Sequence, residues 1–267
     1  FRLRLAHRRR RRSATQAVFW QKCNGRGRPA NTEDVSEADR LVALVDADDA
    51  FALGHADLLE RQLAAADERF QDRVGKIKLL ANRAEEGGVG EVRELQDVVP
   101  LLFAHTAYKS YPESWLTESK WDRLGKWLDT VSTNRVEPRD TSGIGGLDDW
   151  LASLESQGHY VSCSSGTTGK CAMMNATAAD NEFSGKALLQ GLLWAGMEPS
   201  QDRLMISCGQ VASTARNKAT GRPMFEAVAA RDVAPWVADA PPITIGGITE
   251  MVVLRKRIGD GTATPGD

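Results

Sequence analysis

The sequence predicts an α/β fold: a helical N-terminal region followed by alternating strands and helices. Three observations point to it. Apolar residues recur at helical spacing through the first half. Two short apolar runs then bracket a Gly- and hydroxyl-rich segment at residues 159–174. Beyond them, a capped helical stripe alternates with further short apolar runs. The elements group as residues 1–32, a basic and disordered tail; 33–157, a helical region; and 158–267, an α/β portion.

Ser36-Glu37-Ala38-Asp39 has the form of a capping box, and Ala38, Leu41, Val42 and Val45 follow at helical spacing. A second helical run begins near Ala56. Its stripe is Leu59, Leu63, Ala66, Phe70, Val74, Ile77 and Ala81, with an interruption expected at Gly75 and a stop at Gly87-Gly88. Val99 to Ala104, containing Pro100, breaks the helical pattern. His105 to Pro112 is polar and aromatic and ends in proline, so it reads as a loop. Trp121, Leu124, Leu128 and Val131 mark another amphipathic helix, with Trp115 and Trp127 beside it as core anchors. A further helix carries Leu147, Trp150, Leu151 and Leu154 and is expected to stop at Gly158.

His159 to Cys163 reads as a short strand and Cys171 to Met174 as a second. Thr177-Ala178-Ala179-Asp180 is a capping box opening a helix through Leu188, Leu189, Leu192 and Leu193. Arg203 to Cys208 reads as a strand, and Met224 to Ala230 and Ile248 to Ile258 as helices. There is no internal repeat.

Charge narrows the function classes. Residues 1–32 hold ten Lys or Arg and no acid, which leaves the remainder with 24 basic and 36 acidic residues, a net −12. Such a body repels phosphodiester backbones, so nucleic acid is not expected as a partner of the folded part. The basic segment has the character of a solvated tail, or of upstream sequence read in frame, since the first methionine is Met173. The longest apolar stretch, Leu188 to Met197, is too short for a membrane span, and no apolar core follows the arginines as in a secretory signal. A cytoplasmic protein is the expectation. Cys23, Cys163, Cys171 and Cys208 form no CxxC pair and no zinc-ligand spacing with histidine.

The chemistry is concentrated in Cys163-Ser164-Ser165-Gly166-Thr167-Thr168-Gly169-Lys170. Two glycines allow backbone N–H groups to approach an anion, four hydroxyls donate further hydrogen bonds, and lysine adds a point charge. That is the composition of a phosphate-binding loop. A Walker A loop, G-x-x-x-x-G-K-[ST], would need glycine at Ser164, a hydroxyl at Cys171, and a helix beginning at the lysine. The residue pattern fails at both positions, and its helix signal starts only at Thr177.

The run Ser164-Ser165-Gly166-Thr167-Thr168-Gly169-Lys170 resembles the phosphate loop of the adenylate-forming enzymes, the acyl-CoA synthetases and their relatives. The usual Pro-Lys-Gly continuation is replaced here by Cys171-Ala172-Met173, which is closer to the phenylacetate-CoA ligase and acyl-protein synthetase branch. Two weaker similarities lie nearby. Val99 to Phe103 with Thr106 and Lys109 looks like the family's early segment, and Asp202-Arg203-Leu204 looks like its Asp-Arg pair. Together they cover residues 99–210.

The resemblance implies part of the large N-terminal α/β domain of such an enzyme, truncated and inactive by itself. It implies an acid–thiol ligase that uses ATP and Mg2+ to turn a small carboxylic acid into an acyl-adenylate, then passes the acyl group to a thiol such as coenzyme A. Ser165, Thr167 and Thr168 would donate hydroxyls to the leaving phosphates, Gly166 and Gly169 would permit close approach, and Lys170 would balance charge. Gly209 to Asn217 would lie toward the acid. The family's aromatic-Gly-x-Thr-Glu segment is not found after the loop; Gly246-Gly247-Ile248-Thr249-Glu250 echoes it but reads as a helix start. His105 and His159 read as structural rather than catalytic. Two other classes stay open: a different phosphate-loop nucleotide-binding enzyme, and a non-enzymatic module whose residue 36–84 stripes bind a partner helix.

Overall fold

A computed structural model describes residues 35–47, 52–136, 140–164, 170–197, 203–204, 206–207, 221, 236–237, 244–264 and 266. The compact unit containing the elements below spans Glu37–Asp267. Helix α1, Glu37–Ala43, runs into a 3-10 turn at Leu44–Asp46. Its first amides are satisfied by the next helix: the backbone N–H groups of Glu37 and Ala38 donate to the Glu68 carboxylate at 2.6 and 3.3 Å.

Helix α2, His55–Val74, and helix α3, Lys78–Gly87, are separated at Gly75, and Gly88 closes α3 with a left-handed φ of 65°. The interruption and the stop both fall where the glycines put them. Helix α4, Leu95–Leu101, corrects the expectation that Val99 to Ala104 breaks the pattern from its start. Glu94 and Asp97 form a reciprocal capping box, so the helix is nucleated upstream of Pro100 and runs through it by one residue. Proline cannot donate to the carbonyl one turn back, and the helix ends at Leu101. Phe70, Ala84 and Val92 bury together, with Leu63, Ala66, Val98 and Leu101 packed around them.

The loop expected at 105–112 contains a 3-10 turn at Ala107–Lys109. After it come α5, Ser114–Thr117, and α6, Trp121–Leu128. Helix α7 spans Leu147–Glu155, and Gly158 takes a φ of 84° before the chain enters strand β1, Tyr160–Cys163. Strand β2, Met173–Ala176, pairs antiparallel with β1, Tyr160 opposite Ala176 and Cys163 opposite Met173. Helix α8, Ala178–Trp194, then starts on a complete capping box: the Asp180 N–H donates to Thr177 Oγ1 at 3.2 Å, and the Thr177 N–H to the Asp180 carboxylate at 2.7 Å. Of its expected stripe, Leu189 is buried and Leu188 is exposed.

The residues read as a strand from Arg203 to Cys208 contribute Ile206–Ser207, β3, which pairs in parallel with β4, Trp236–Val237. Helix α9, Ile245–Gly259, begins three residues before the expected Ile248, because Thr244 Oγ1 accepts the Gly247 N–H at 3.0 Å and caps it. The helix expected at Met224 to Ala230 lies outside the described residues. The architecture among the described residues is thus helix-rich and mixed, with strands in pairs.

The main core gathers Tyr111, three tryptophans, leucines of α6 and α7, Val161 of β1, Cys171, Met173 and Ile245. Trp121 stacks on Trp150 at 5.9 Å, and Tyr111 meets Trp127 edge-on at 4.8 Å. Two of the three indole N–H groups have acceptors here, Trp127 at Ser110 Oγ and Trp121 at the Ile144 carbonyl. One face of the β1–β2 hairpin is therefore fixed to the core. No described helix is long and apolar enough to cross a membrane.

Candidate functional site: the neck of the Ser164–Lys170 segment

Strand alternation puts Val161, Cys163, Met173 and Cys171 on one face of the hairpin, because directly opposed residues share a face and Cys171 lies two residues before Met173. The ladder continues past the last strand pair. The Ser164 N–H donates to the Ala172 carbonyl at 3.0 Å, and the Ala172 N–H donates to Ser164 Oγ at 2.8 Å. Cys171 and Ala172 had been expected to start the second strand; they serve instead as the returning arm of the loop. Ser165, Gly166, Thr167, Thr168 and Gly169 lie outside the described residues. Ser164 and Lys170, the two ends of the run, are described.

Tyr111 holds the returning arm. It is wholly buried; its hydroxyl donates to the Cys171 carbonyl at 2.7 Å and lies 3.5 Å from Cys171 Sγ. Its own carbonyl accepts from Lys170 Nζ at 2.7 Å, and the ammonium stands 5.4 Å from the centre of its ring. A carbonyl is neutral, so this bond orients Lys170 without cancelling its charge and leaves two ammonium hydrogens to offer. Burial, reinforced by the neighbouring thiols, pushes the Tyr111 phenol well above its ordinary range, so the hydroxyl remains a donor.

The two thiols are coupled. A Cys163–Cys171 hydrogen bond, aided by the Tyr111 hydroxyl and opposed by burial, lowers the Cys171 thiol to about 6. The same hydrogen bond, together with burial, pushes Cys163 up. Physically, the pair loses its first proton easily, because the remaining S–H stabilises the thiolate, and its second with difficulty.

The other candidates sit apart from this neck. His159 is buried on the approach to β1; its Nδ1 faces Asn175 Nδ2 at 3.1 Å, and Asn175 also donates to the Asn134 carbonyl at 2.8 Å. As acceptor at Nδ1, the ring carries its proton on Nε2. His105 is exposed. Thr106 precedes the 3-10 turn and Lys109 is its last residue, while Asp202 and Gly209 to Asn217 lie outside the described residues. An open cavity of about 400 Å³ lies beside β2, lined by Tyr108, Val131, Met174, Phe183 and Asp180 among others. The Asp180 carboxylate at its edge disfavours an anion there.

Tyr111 was not singled out from the sequence. Its signal, a tyrosine directly before Pro112 in a polar segment, announces an extended backbone but not a partner sixty residues away. Among the described residues no group of three His, Cys, Asp or Glu side chains gathers to hold a metal ion. No protein-family model matches the chain, and no curated protein or solved structure matches it either.

Proposed function

We propose that the Ser164–Lys170 segment is the phosphate loop of an adenylate-forming acid–thiol ligase, of the phenylacetate-CoA ligase or acyl-protein synthetase type. The observation that carries this reading is the strand–loop–strand arrangement. β1 leads into the segment, β2 leads out of it, and α8 begins only at Ala178. A Walker A loop needs the helix N-terminus at its lysine, to aim amides and dipole at the phosphates. Here Lys170 leads into a strand and is tied to a tyrosine carbonyl, which favours the hairpin type of loop.

The chemical obstacle is an anion approaching a polyanion. The carboxylate attacks the α-phosphorus of ATP, the α–β bond breaks, and pyrophosphate leaves with the electron pair. In this reading Ser164, Ser165, Thr167 and Thr168 donate hydroxyl hydrogens to the β and γ phosphates. Gly166 and Gly169 let amides approach, and Lys170 turns its two spare N–H groups to the same oxygens. A thiol, such as that of coenzyme A, then takes the acyl group. Magnesium belongs to the proposed reaction as the counter-charge on the phosphates; this reading gives it no protein ligand among the described residues.

The test is equilibrium binding of a fluorescent ATP analogue to the chain and to Lys170→Ala. Loss of one charge-assisted contact, about 1.5–3 kcal/mol, predicts weakening of roughly tenfold or more. Equal affinity would remove the reading.

A further inference from the structure

We propose that the cavity beside β2 binds a small organic cation, a quaternary or alkylated ammonium free in solution. Three elements bring its walls together. Asp180, Phe183 and Ser184 stand at i, i+3 and i+4 of α8 and so share one face of that helix. Met174 follows the core-facing Met173 in β2, so its side chain emerges on the opposite face of the hairpin. Tyr108 comes from the 3-10 turn, with the Phe103 ring 6.0 Å from its own. With Val131, these residues line an open cavity of about 400 Å³, within the roughly 300–1,000 Å³ of small-molecule sites. Phe183 and Met174 are 39% and 45% exposed, so an aromatic ring and a thioether border it in reach of a ligand. The inference does not rest on nucleotide binding at the Ser164–Lys170 segment.

The chemistry of this lining selects charge and then type. Ring faces attract cations, and the Asp180 carboxylate adds a full negative charge. Asp180 takes the Thr177 N–H and hydroxyl at 2.7 and 2.8 Å, both on Oδ2, which leaves Oδ1 for a ligand. Donors that an anion would need are spent. The Ser184 hydroxyl donates to the Asp180 carbonyl at 2.7 Å, and the Asn175 amide faces the Asn134 carbonyl and His159 Nδ1. Among the described residues that line the cavity, none is Lys or Arg. The α8 N-terminus opposes a cation with about half a positive charge, but the Asp180 carboxylate in its first turn outweighs it. A primary ammonium would exchange the hydration of three N–H donors for one carboxylate, whereas an alkylated ammonium has little such hydration to lose and fits ring and thioether walls.

The experiment is a choline titration of the full chain with its six methionines labelled at the methyl carbon and read by NMR, Met174→Leu assigning the Met174 line. Choline should move that line saturably in the millimolar range and leave the line of buried Met173 in place. The neutral carbon isostere of choline should bind at least about fivefold more weakly. Phe183→Leu keeps an apolar side chain but removes the ring, and Asp180→Asn keeps an oxygen for Thr177 but removes the charge. Each should weaken choline by about two- to fivefold. Phosphocholine, the same cation beside a phosphate, should bind more weakly than choline, because the Asp180 carboxylate repels the phosphate. No saturable shift, equal affinity for the isostere, or shifts at other methionines but not Met174 would overturn the proposal. So would unchanged choline affinity in both variants, and tighter phosphocholine binding would overturn the assignment to a free cation. Should either variant fail to fold, choline against its isostere in the parent chain decides the matter alone.

Discussion

The Tyr111 hydroxyl ends on the Cys171 carbonyl inside the core. Tyr111→Phe keeps the ring, its edge contact with Trp127 and the backbone carbonyl that takes Lys170, but it leaves the Cys171 carbonyl without that donor. An unsatisfied buried acceptor costs about 1–3 kcal/mol, so the variant should unfold at lower urea with an unchanged slope. A variant as stable as the parent would mean the hydroxyl does not hold the strand arm. At this scale the sequence announced the composition of the loop but not its clamp. Residue types and spacing carry local chemistry, whereas Tyr111 and Cys171 meet only because β1, β2 and α6 close one core around them.

Gly87 ends α3 against the ring of Pro100 in α4, and there two effects compete. An added Cβ would lie 2.5 Å from Pro100 Cβ, well inside the roughly 3.5–4.0 Å of a normal carbon contact. Alanine improves helix propensity by up to about 1 kcal/mol, but a proline ring cannot rotate away, and overpacking costs about 1–3 kcal/mol. The clash should win. Gly75 supplies the control: it has nothing within 4 Å and an ordinary φ of −77°, so Gly75→Ala should be neutral or slightly stabilising. Thermal melts of the two variants would decide; equal stability would refute the packing argument. The elements here were legible where local physics fixes them. The α2 and α3 stripes, the stops at Gly75, Gly88 and Gly158, and the α8 capping box follow from spacing and capping chemistry. Helix α4 is not legible in the spacing, because Pro100 obscures the Glu94–Asp97 capping box ahead of it. The start of β2 is not legible to the residue, because apolarity alone does not separate a strand from a buried loop arm.

Two buried clusters that share no residue organise the described chain. The smaller, around Phe70, Ala84 and Val92, holds α2 to α4; the larger, around Tyr111 and the tryptophans, holds α6, α7 and the hairpin. Links between the two regions include polar contacts. Arg73 donates to Thr133 Oγ1 at 3.1 Å, and Lys186 of α8 pairs with Asp46 beyond α1. Single polar links of this kind contribute about 1 kcal/mol each, too little to make two apolar cores open as one. The helical layer should therefore exchange its amide hydrogens through sub-global openings while the hairpin stays protected. Phe70→Ala sharpens the test. Truncating a buried phenylalanine costs about 3–5 kcal/mol, and that cost should fall on one cluster. Hydrogen exchange read by mass spectrometry should show faster exchange across 55–101 and unchanged protection across 111–128 and 147–176. Equal acceleration in both would mean that the clusters unfold together. In that case a change in the helical layer would also reach the Ser164–Lys170 neck. Selective acceleration would instead leave the neck's geometry dependent on the Tyr111 cluster alone, and nucleotide binding by Phe70→Ala should then match the parent chain.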